Sequence, residues 1–149
     1  MRTQGLSKVG LEQLHEVMAG HVGADRVPGL VLGLSRGEDV YTDGTYRGER
    51  ILAPELVAAM TTDQLTPGQR DGAGPILDGR GWGFGLSIID PPEPAGLKGY
   101  GWNGGFGTAW ANDPGEDLVA ILCTQVLAAP GSAAVEADFW RATYRAVAH

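Results

Sequence analysis

The stretch from Gly99 to Gln125, GYGWNGGFGTAWANDPGEDLVAILCTQ, decides the fold. Its first half alternates glycine with tryptophan, and Asp113-Pro114-Gly115 is a turn signal that separates it from an apolar run. We predict a loop from Gly99, a strand over FGTAWAND, a hairpin turn over DPGED and a buried strand over LVAILCTQ. Strands joined by tight turns form antiparallel sheets, so the sequence predicts an antiparallel sheet.

Two short motifs match nucleotide and hydrolase signatures, but their flanking sequence argues against both. Gly99 to Gly104 fits G-x-G-x-x-G, yet a proline-rich segment precedes it and no helix follows to offer free N–H groups to a pyrophosphate. Gly33 to Gly37 fits G-x-S-x-G, yet strand-like residues follow Ser35, and the only later histidine is His149. We therefore interpret Ser35 as a serine that flanks a turn.

The remaining pattern predicts helices at both ends of the chain. Ser7 can cap a helix that runs to about Val22, and a second amphipathic helix is expected from Ser132 to Val147. Between them we expect a hairpin of VPGLVLGLS and VYTDGTY, a short helix PELVAAM from Pro54, a loop-rich segment TTDQLTPGQRDGAGPILDGR and a strand WGFGLSII. The fold class is thus predicted as α+β, a five-stranded antiparallel sheet with both terminal helices packed on one face. The other face has little to cover it.

Composition limits the function. A chain of 149 residues is predicted to form a single domain over 1–149, with a net charge of -7 and a pI of about 4.8. Its scattered basic residues disfavour nucleic acid and anionic membranes as partners, and without a leader or a long apolar run we expect a cytoplasmic protein. His15, His21 and His149 lack metal-ligand spacing, so no metal or cofactor is expected, and Cys123 is predicted to be a small buried side chain without a disulfide.

The sequence resembles serine β-lactamase-like proteins, the superfamily of penicillin-binding proteins, class C β-lactamases and family VIII esterases. The resemblance is carried by Leu11 to Gly44 and by Gly48 to Val126, which include VPGLVLGLSRGEDVYTDGT, GERILAPELVAAMTTDQLTP and DGRGWGFGLSI. It implies that Trp102-Asn103-Gly104 occupies the third active-site motif of the family, Lys-Thr-Gly or His-x-Gly, which lies on the sheet strand that borders the active site. Gly105 then inherits the position of a backbone donor to an oxyanion, where the lack of a Cβ lets a carbonyl approach.

The family's nucleophile and base are missing from this sequence. The nucleophile belongs to Ser-x-x-Lys and the proton relay also uses the tyrosine of Tyr-x-Asn, and neither motif occurs. The gap falls near residues 45–48, between Tyr46 and Arg47, where family members insert the nucleophile helix and a helical domain. The chain therefore resembles the α/β half of the family fold alone, with an apparent deletion seam.

Three hypotheses of function follow. The chain is a catalytically silent relative that binds a partner or forms homo-oligomers through the uncovered sheet face. Alternatively, it is a repurposed enzyme for proton transfer or cyclisation of a small apolar ligand, in a glycine-lined pocket with Asp43, Asp78 or Arg80 nearby. A third alternative is an internally deleted hydrolase without activity. The candidate pocket residues are Tyr100, Trp82 and Trp110, although aromatic residues at strand spacing usually pack in a core or an interface, which is the role expected for Trp82, Trp110, Phe84 and Phe106.

Overall fold

The structure is a computed structural model that describes residues 5–23, 27–37, 44–90, 92–93, 96–127 and 132–147. Within these ranges the elements, in chain order, are α1 (Lys8–Ala19), β1 (Leu30–Arg36), β2 (Thr45–Tyr46), β3 (Glu49–Arg50), α2 (Pro54–Met60), α3 (Pro67–Leu77), β4 (Gly81–Trp82), β5 (Ser87–Ile89), β6 (Gly99–Gly104), β7 (Thr108–Asp113), β8 (Leu118–Thr124) and α4 (Ser132–Ala146). This order confirms the α+β class. No helix in these ranges is long and apolar enough to cross a bilayer.

The main sheet is antiparallel and has six strands in the order β1-β8-β7-β6-β5-β4. Five strands were expected; two local differences each add one strand, and the expected strand VYTDGTY is not among the six. The stretch Gly99–Gly104, predicted as a loop, is strand β6, and the predicted strand WGFGLSII is interrupted to give β4 and β5. The prediction of an antiparallel sheet is confirmed, and the prediction of a loop after Gly99 is wrong.

The partner expected for β1 lies mostly outside the described residues. Residues 40–43 of the predicted strand VYTDGTY are not described, and its last two residues, Thr45 and Tyr46, form a separate ribbon with Glu49 and Arg50. Arg47 and Gly48 join the two strands with φ angles of 50° and 80°. Two positive φ values in a row make a two-residue turn whose twist matches the flanking strands. The predicted seam near residues 45–48 therefore coincides with a tight turn.

The strand β6 needs a bare backbone, which explains its glycines. A Cβ added to Gly101 would overlap the Trp110 carbonyl oxygen on the neighbouring strand. The hairpin to β7 closes with a hydrogen bond of 3.1 Å from Gly107 N–H to the Gly104 carbonyl, and Gly107 has φ 75°. A left-handed residue at the end of a three-residue loop is the usual way to complete such a hairpin.

The two terminal helices cover one face of the sheet, as predicted. The Ser7 side chain accepts a hydrogen bond of 3.3 Å from Gly10 N–H at the start of α1, and α1 ends at Ala19 rather than near Val22. Gly10 lies against the backbone of Ala146, so α1 and α4 are in close contact. The core between these helices and the sheet consists chiefly of Leu14, Met18, Ile89, Leu97, Ala109, Ala111, Ala120, Leu122, Val135, Phe139 and Trp140.

The segment Thr61 to Arg80, predicted as a loop, contains helix α3. Thr66 caps it: the Thr66 hydroxyl accepts from Gln69 N–H at 3.4 Å, and the Gln69 side chain accepts from Thr66 N–H at 2.9 Å. Pro67 occupies the first turn, where its missing N–H costs nothing. Reciprocal capping of this kind fixes a helix start without an apolar periodicity.

Candidate functional site

The open face is our name for the side of the main sheet opposite α1 and α4. Its side chains form rows across the strands, because partners in an antiparallel register point the same way. One row runs through Ser35, Val119, Asn112, Tyr100 and Ile88, and the next runs through Gly33, Ile121, Trp110 and Trp102. The residues expected from sequence at the active site therefore lie partly on this face.

Helix α2 bridges the open face and is held at both ends by backbone hydrogen bonds. Before α2, the N–H groups of Ile51 and Leu52 donate to the Gly44 carbonyl at 2.8 and 3.1 Å. At its end, Phe84 N–H donates to the Met60 carbonyl at 3.2 Å. No residue of α2 is fully buried. The helix is thus fixed above the sheet without closing onto it.

A cavity of about 430 Å³ remains between α2 and the open face. Leu52, Val57 and Met60 line it from the α2 side, together with Thr61. The sheet contributes Ser35, Leu86, Tyr100, Trp110, Asn112 and Val119. None of these described lining residues carries a charge. Cavities of this volume and apolar character are typical of small-molecule sites.

Besides the Thr61 hydroxyl, which donates to the Val57 carbonyl at 2.9 Å, three polar groups lie among the apolar lining of the cavity. The Asn112 side-chain amide donates a hydrogen bond of 3.0 Å to the Tyr100 hydroxyl, and both residues are buried. The third group is the Ser35 hydroxyl, which has no hydrogen-bond partner among the described residues. Ser35 is the last but one residue of β1, which ends at Arg36, and most of the turn expected after it lies outside the described residues. Strand alternation directs Ser35 toward the cavity.

The three predicted pocket residues are only partly brought together. Tyr100 and Trp110 line the cavity, but Trp82 does not. The Trp82 ring packs edge-on against Trp102, with ring centroids 4.9 Å apart and an angle of 86° between planes. Such a T-shaped pair stabilises the strand edge by about 1 kcal/mol beyond its buried area. Trp82 and Trp102 are thus packing residues in this structure.

The other residues assigned to the family's third motif lie at a second, smaller cavity. Asn103, Gly104 and Gly105 line about 160 Å³ at the end of the sheet next to α4. The Asn103 side-chain amide donates to the carboxylate of Glu136, which also accepts from the Trp140 indole at 3.2 Å. Gly105 is exposed in the turn after β6, and the hydrogen bond that closes this turn does not use its amide.

Hydroxyl and ammonium groups are kept apart in the described part of the chain. Ser7 caps α1, and the fully buried Ser87 hydroxyl donates to the Gly101 carbonyl at 2.7 Å. The two lysines of the sequence are paired with carboxylates instead: Lys8 lies 4.0 Å from Glu12, and Lys98 lies 3.6 Å from both Asp113 and Glu116. In these ranges neither lysine contacts a serine hydroxyl.

The charged residues considered for a repurposed enzyme do not line the large cavity. Asp78 ends α3 in a left-handed conformation with φ 50°, and the Arg80 guanidinium lies 2.7 Å from the Glu93 carboxylate. Asp43 lies outside the described residues. Both described groups therefore have structural roles near β4.

Four other side chains differ from their predicted environments. His21 was expected to be solvated, but its Nε2 lies 3.0 Å from the Asp138 carboxylate on α4. Cys123 was expected to be buried and is half-buried. Phe84 and Phe106, expected to pack, are 59% and 78% exposed because each lies in a turn between strands.

Comparisons of the sequence with known proteins find relatives that match part of the chain. No family model matches the chain. Protein Rv1367c of Mycobacterium tuberculosis is 39% identical over 93 residues, which cover 56% of this chain and 23% of that protein. The uncharacterized protein MT1414 from another strain of the same organism matches equally. The chain thus spans less than a quarter of the length of these relatives.

Solved structures that it resembles include those of simvastatin synthase, LovD, from Aspergillus terreus. A LovD mutant superposes with a TM-score of 0.53 at 17% identity, over 90% of this chain and 31% of that one. Unliganded LovD gives a TM-score of 0.51 at the same identity, over 90% and 33%. These structures have the serine β-lactamase-like fold, so the fold implied by the sequence resemblance is confirmed.

Proposed function

We propose that this serine β-lactamase-like chain is a non-hydrolytic binding module. The observation that carries the proposal is the separation of its hydroxyl and ammonium groups. Both lysines pair with carboxylates, and the serine side chains that the structure describes cap a helix, bond to a backbone carbonyl or line a cavity without a base. A serine hydroxyl is a weak nucleophile unless a neighbouring base removes its proton. An acyl-enzyme is therefore not expected to form.

The missing motifs have a structural counterpart at the proposed seam. We infer that the tight turn at Arg47 and Gly48 replaces the inserted helical domain of the family, so that 1–149 is an α/β half folded as one unit. In this proposal Trp102, Asn103 and Gly104 keep the position of the family's third motif in the sheet. Trp102 then serves packing against Trp82, and Asn103 serves a hydrogen bond to α4. The Gly105 amide would be the one remaining oxyanion-type donor, without a nucleophile to use it.

The proposed binding surface is the open face, and we propose a second copy of the chain as the partner for its β1–β8 side. Val31 and Ile121 are 70% and 44% exposed there, and Gly33, which pairs with Ile121 and lies two residues from Val31 on β1, has no side chain. Exposed apolar side chains on a sheet face gain about 1.5–3 kcal/mol each when fully buried. A two-fold axis lets the same patch contact itself, which is the commonest arrangement of homodimers.

The charged groups required for proton transfer are absent from the described lining of the large cavity. No carboxylate, imidazole or amine faces it among those residues. General acid–base catalysis uses a titratable group within hydrogen-bond reach of the substrate, most often one of these three, and the phenol of Tyr100 in the described lining is engaged by the Asn112 amide. The structure gives no specific support to a repurposed enzyme, and we propose binding alone.

The proposal is tested with probes that trap or report a serine nucleophile. The purified chain is incubated with a fluorophosphonate, a fluorescent penicillin, nitrocefin and p-nitrophenyl butyrate, with a full-length serine esterase as the positive control. We expect no covalent adduct by intact mass and no turnover above the heat-denatured chain. An adduct on any serine, mapped by peptide mass spectrometry and lost in the corresponding serine-to-alanine variant, would overturn the proposal.

A further inference from the structure

We propose that the cavity between α2 and the open face binds a small, uncharged and mostly apolar molecule whose single polar group hydrogen-bonds to the Ser35 hydroxyl. The inference rests on the proposed function, because it assigns a ligand class to the same open face. It concerns the α2-covered part of that face and not the exposed patch of Val31 and Ile121.

The cavity is held open by the way the chain is attached on either side of it. The Gly44 carbonyl holds the segment before α2, and Phe84 N–H holds the Met60 carbonyl at its end. The backbone is tight at both places: a Cβ on Gly44 would meet Val57, and one on Gly83 would overlap the Met60 carbonyl. The helix cannot descend onto the sheet without breaking these contacts. A preformed space costs less ordering on binding than one that must open.

The lining favours an apolar ligand. Val57 and Met60 of α2 are half-buried and face Leu86 and Trp110 across the cavity. A molecule seated between them removes apolar surface from water on both sides, at about 25 cal/mol per Å². The volume of about 430 Å³ lies within the range that holds drug-sized ligands.

The same lining disfavours a charged ligand. The described lining residues offer no side chain of opposite sign to a carboxylate, sulfonate or ammonium. Transfer of an unpaired ion into such surroundings is strongly unfavourable, whereas a hydroxyl or carbonyl needs only one hydrogen bond. We therefore expect discrimination by charge within one molecular framework.

Ser35 supplies that hydrogen bond. Its hydroxyl lines the cavity and has no partner among the described residues, and it sits at the β1 end of the row formed with Val119, Asn112 and Tyr100. A hydroxyl both donates and accepts, so it can bond to either a ligand O–H or a ligand carbonyl. Without a base beside it, Ser35 acts as a positioning contact and forms no covalent bond.

The experiment uses a pair of fluorescent probes that share one aromatic framework. N-phenylnaphthylamine is neutral, and anilinonaphthalene sulfonate adds a charge. We expect saturable fluorescence enhancement with the neutral dye and binding at least about tenfold weaker with the sulfonate. Competition with naphthol and naphthalene then tests the role of Ser35. Ser35→Ala should weaken the binding of naphthol by about threefold to tenfold and leave the binding of naphthalene unchanged.

Two variants locate the dye. Val119→Phe places extra volume inside the cavity and should abolish binding of the neutral dye, whereas Val9→Phe makes the same change at an exposed position of α1, away from the open face, and should not. Thermal melts of both variants confirm folding, and an unfolded Val119→Phe is replaced by Leu86→Phe. Equal binding of the two dyes, or full binding to a folded cavity-filling variant, overturns the inference. Serine labelling tests the proposed function separately. A chain that is not labelled and binds no dye would overturn the ligand site and leave the proposed function standing.

Discussion

The Tyr144 hydroxyl donates a hydrogen bond to Oδ2 of Asp113 across 2.8 Å, which joins α4 to the last residue of β7. Asp113 is buried, and the Lys98 ammonium lies 3.6 Å from the same carboxylate. A buried carboxylate is stable only with such partners, because its desolvation must be offset. This contact therefore bears on stability at the helix-covered side of the sheet.

Removal of the phenol should destabilise the fold. We expect Tyr144→Phe to lower the free energy of unfolding by about 1–3 kcal/mol, since it removes a hydrogen bond to a charged group and keeps the ring. Urea denaturation followed by tryptophan fluorescence measures the change. The matched control is Tyr46→Phe, because Tyr46 is 41% exposed. Equal losses in the two variants would contradict a special role for the contact.

The same contact predicts a loss of stability in alkali. Burial raises the pKa of the Tyr144 hydroxyl above its ordinary value of about 10, and the hydrogen bond and negative charge of Asp113 act in the same direction. Above pH 10 the unfolded chain loses the phenol proton while the folded chain keeps it. The unfolded state then binds fewer protons, so the free energy of unfolding should fall as pH rises from about 10. Tyr144→Phe should show a shallower fall, and parallel curves for the two proteins would refute the assignment.

The glycines of β6 and its turn differ in how replaceable they are. Gly101→Ala should destabilise by about 3 kcal/mol or prevent folding, because the added methyl group meets the Trp110 carbonyl oxygen. Gly105→Ala should change stability by no more than about 0.5 kcal/mol, since nothing lies near its Cβ position. Thermal unfolding of the two variants provides the comparison. A mild Gly101→Ala would mean that β6 and β7 are not packed as described.

The fold was predictable where local sequence and tertiary packing agree. The amphipathic pattern around Leu14 and Phe139 predicted both terminal helices, and Asp113-Pro114-Gly115 predicted the turn between β7 and β8. The local pattern missed strand β6 because glycine has a low strand propensity, whereas the resemblance placed Trp102-Asn103-Gly104 on a strand. The neighbouring Trp110 backbone explains why glycine is needed at Gly101. Such a constraint is not visible until the pairing is known.

The candidate site was less predictable, because it depends on how one helix sits above the sheet. Tyr100 and Trp110 were identified from their strand positions, but the resemblance directed attention to Trp102 and Gly105, which lie elsewhere. The spacing of Val57 and Met60 on α2 was the signal that could have pointed to the cavity. No sequence pattern reveals that the tethers at the two ends of α2 keep it raised.

Helix α3 shows that a capping signature carried information that periodicity did not. Thr66-Pro67-Gly68-Gln69 contains both halves of the reciprocal cap. We expect Thr66→Ala to cost about 1 kcal/mol and Thr66→Ser, which keeps the hydroxyl, to cost much less. Hydrogen exchange of the α3 amides measures the local effect. Equal protection in the two variants would show that the cap does not set the stability of this helix.

The proposed self-association makes the final prediction, since it depends on a surface that the two terminal helices leave exposed. Ile121 and Val31 lie on neighbouring strands, with Gly33 opposite Ile121, so one charge placed at Ile121 would face its own copy across a two-fold axis. We expect Ile121→Lys to weaken the dimer by about tenfold or more, because the interface would then bury an ammonium without a partner in place of an apolar side chain.

Val9→Lys is the matched control, since Val9 is 61% exposed on α1. Light scattering coupled to size-exclusion chromatography measures the mass over a range of concentrations. A wild-type chain that stays monomeric throughout, or a dimer that persists in Ile121→Lys, would remove this face from the proposed interface.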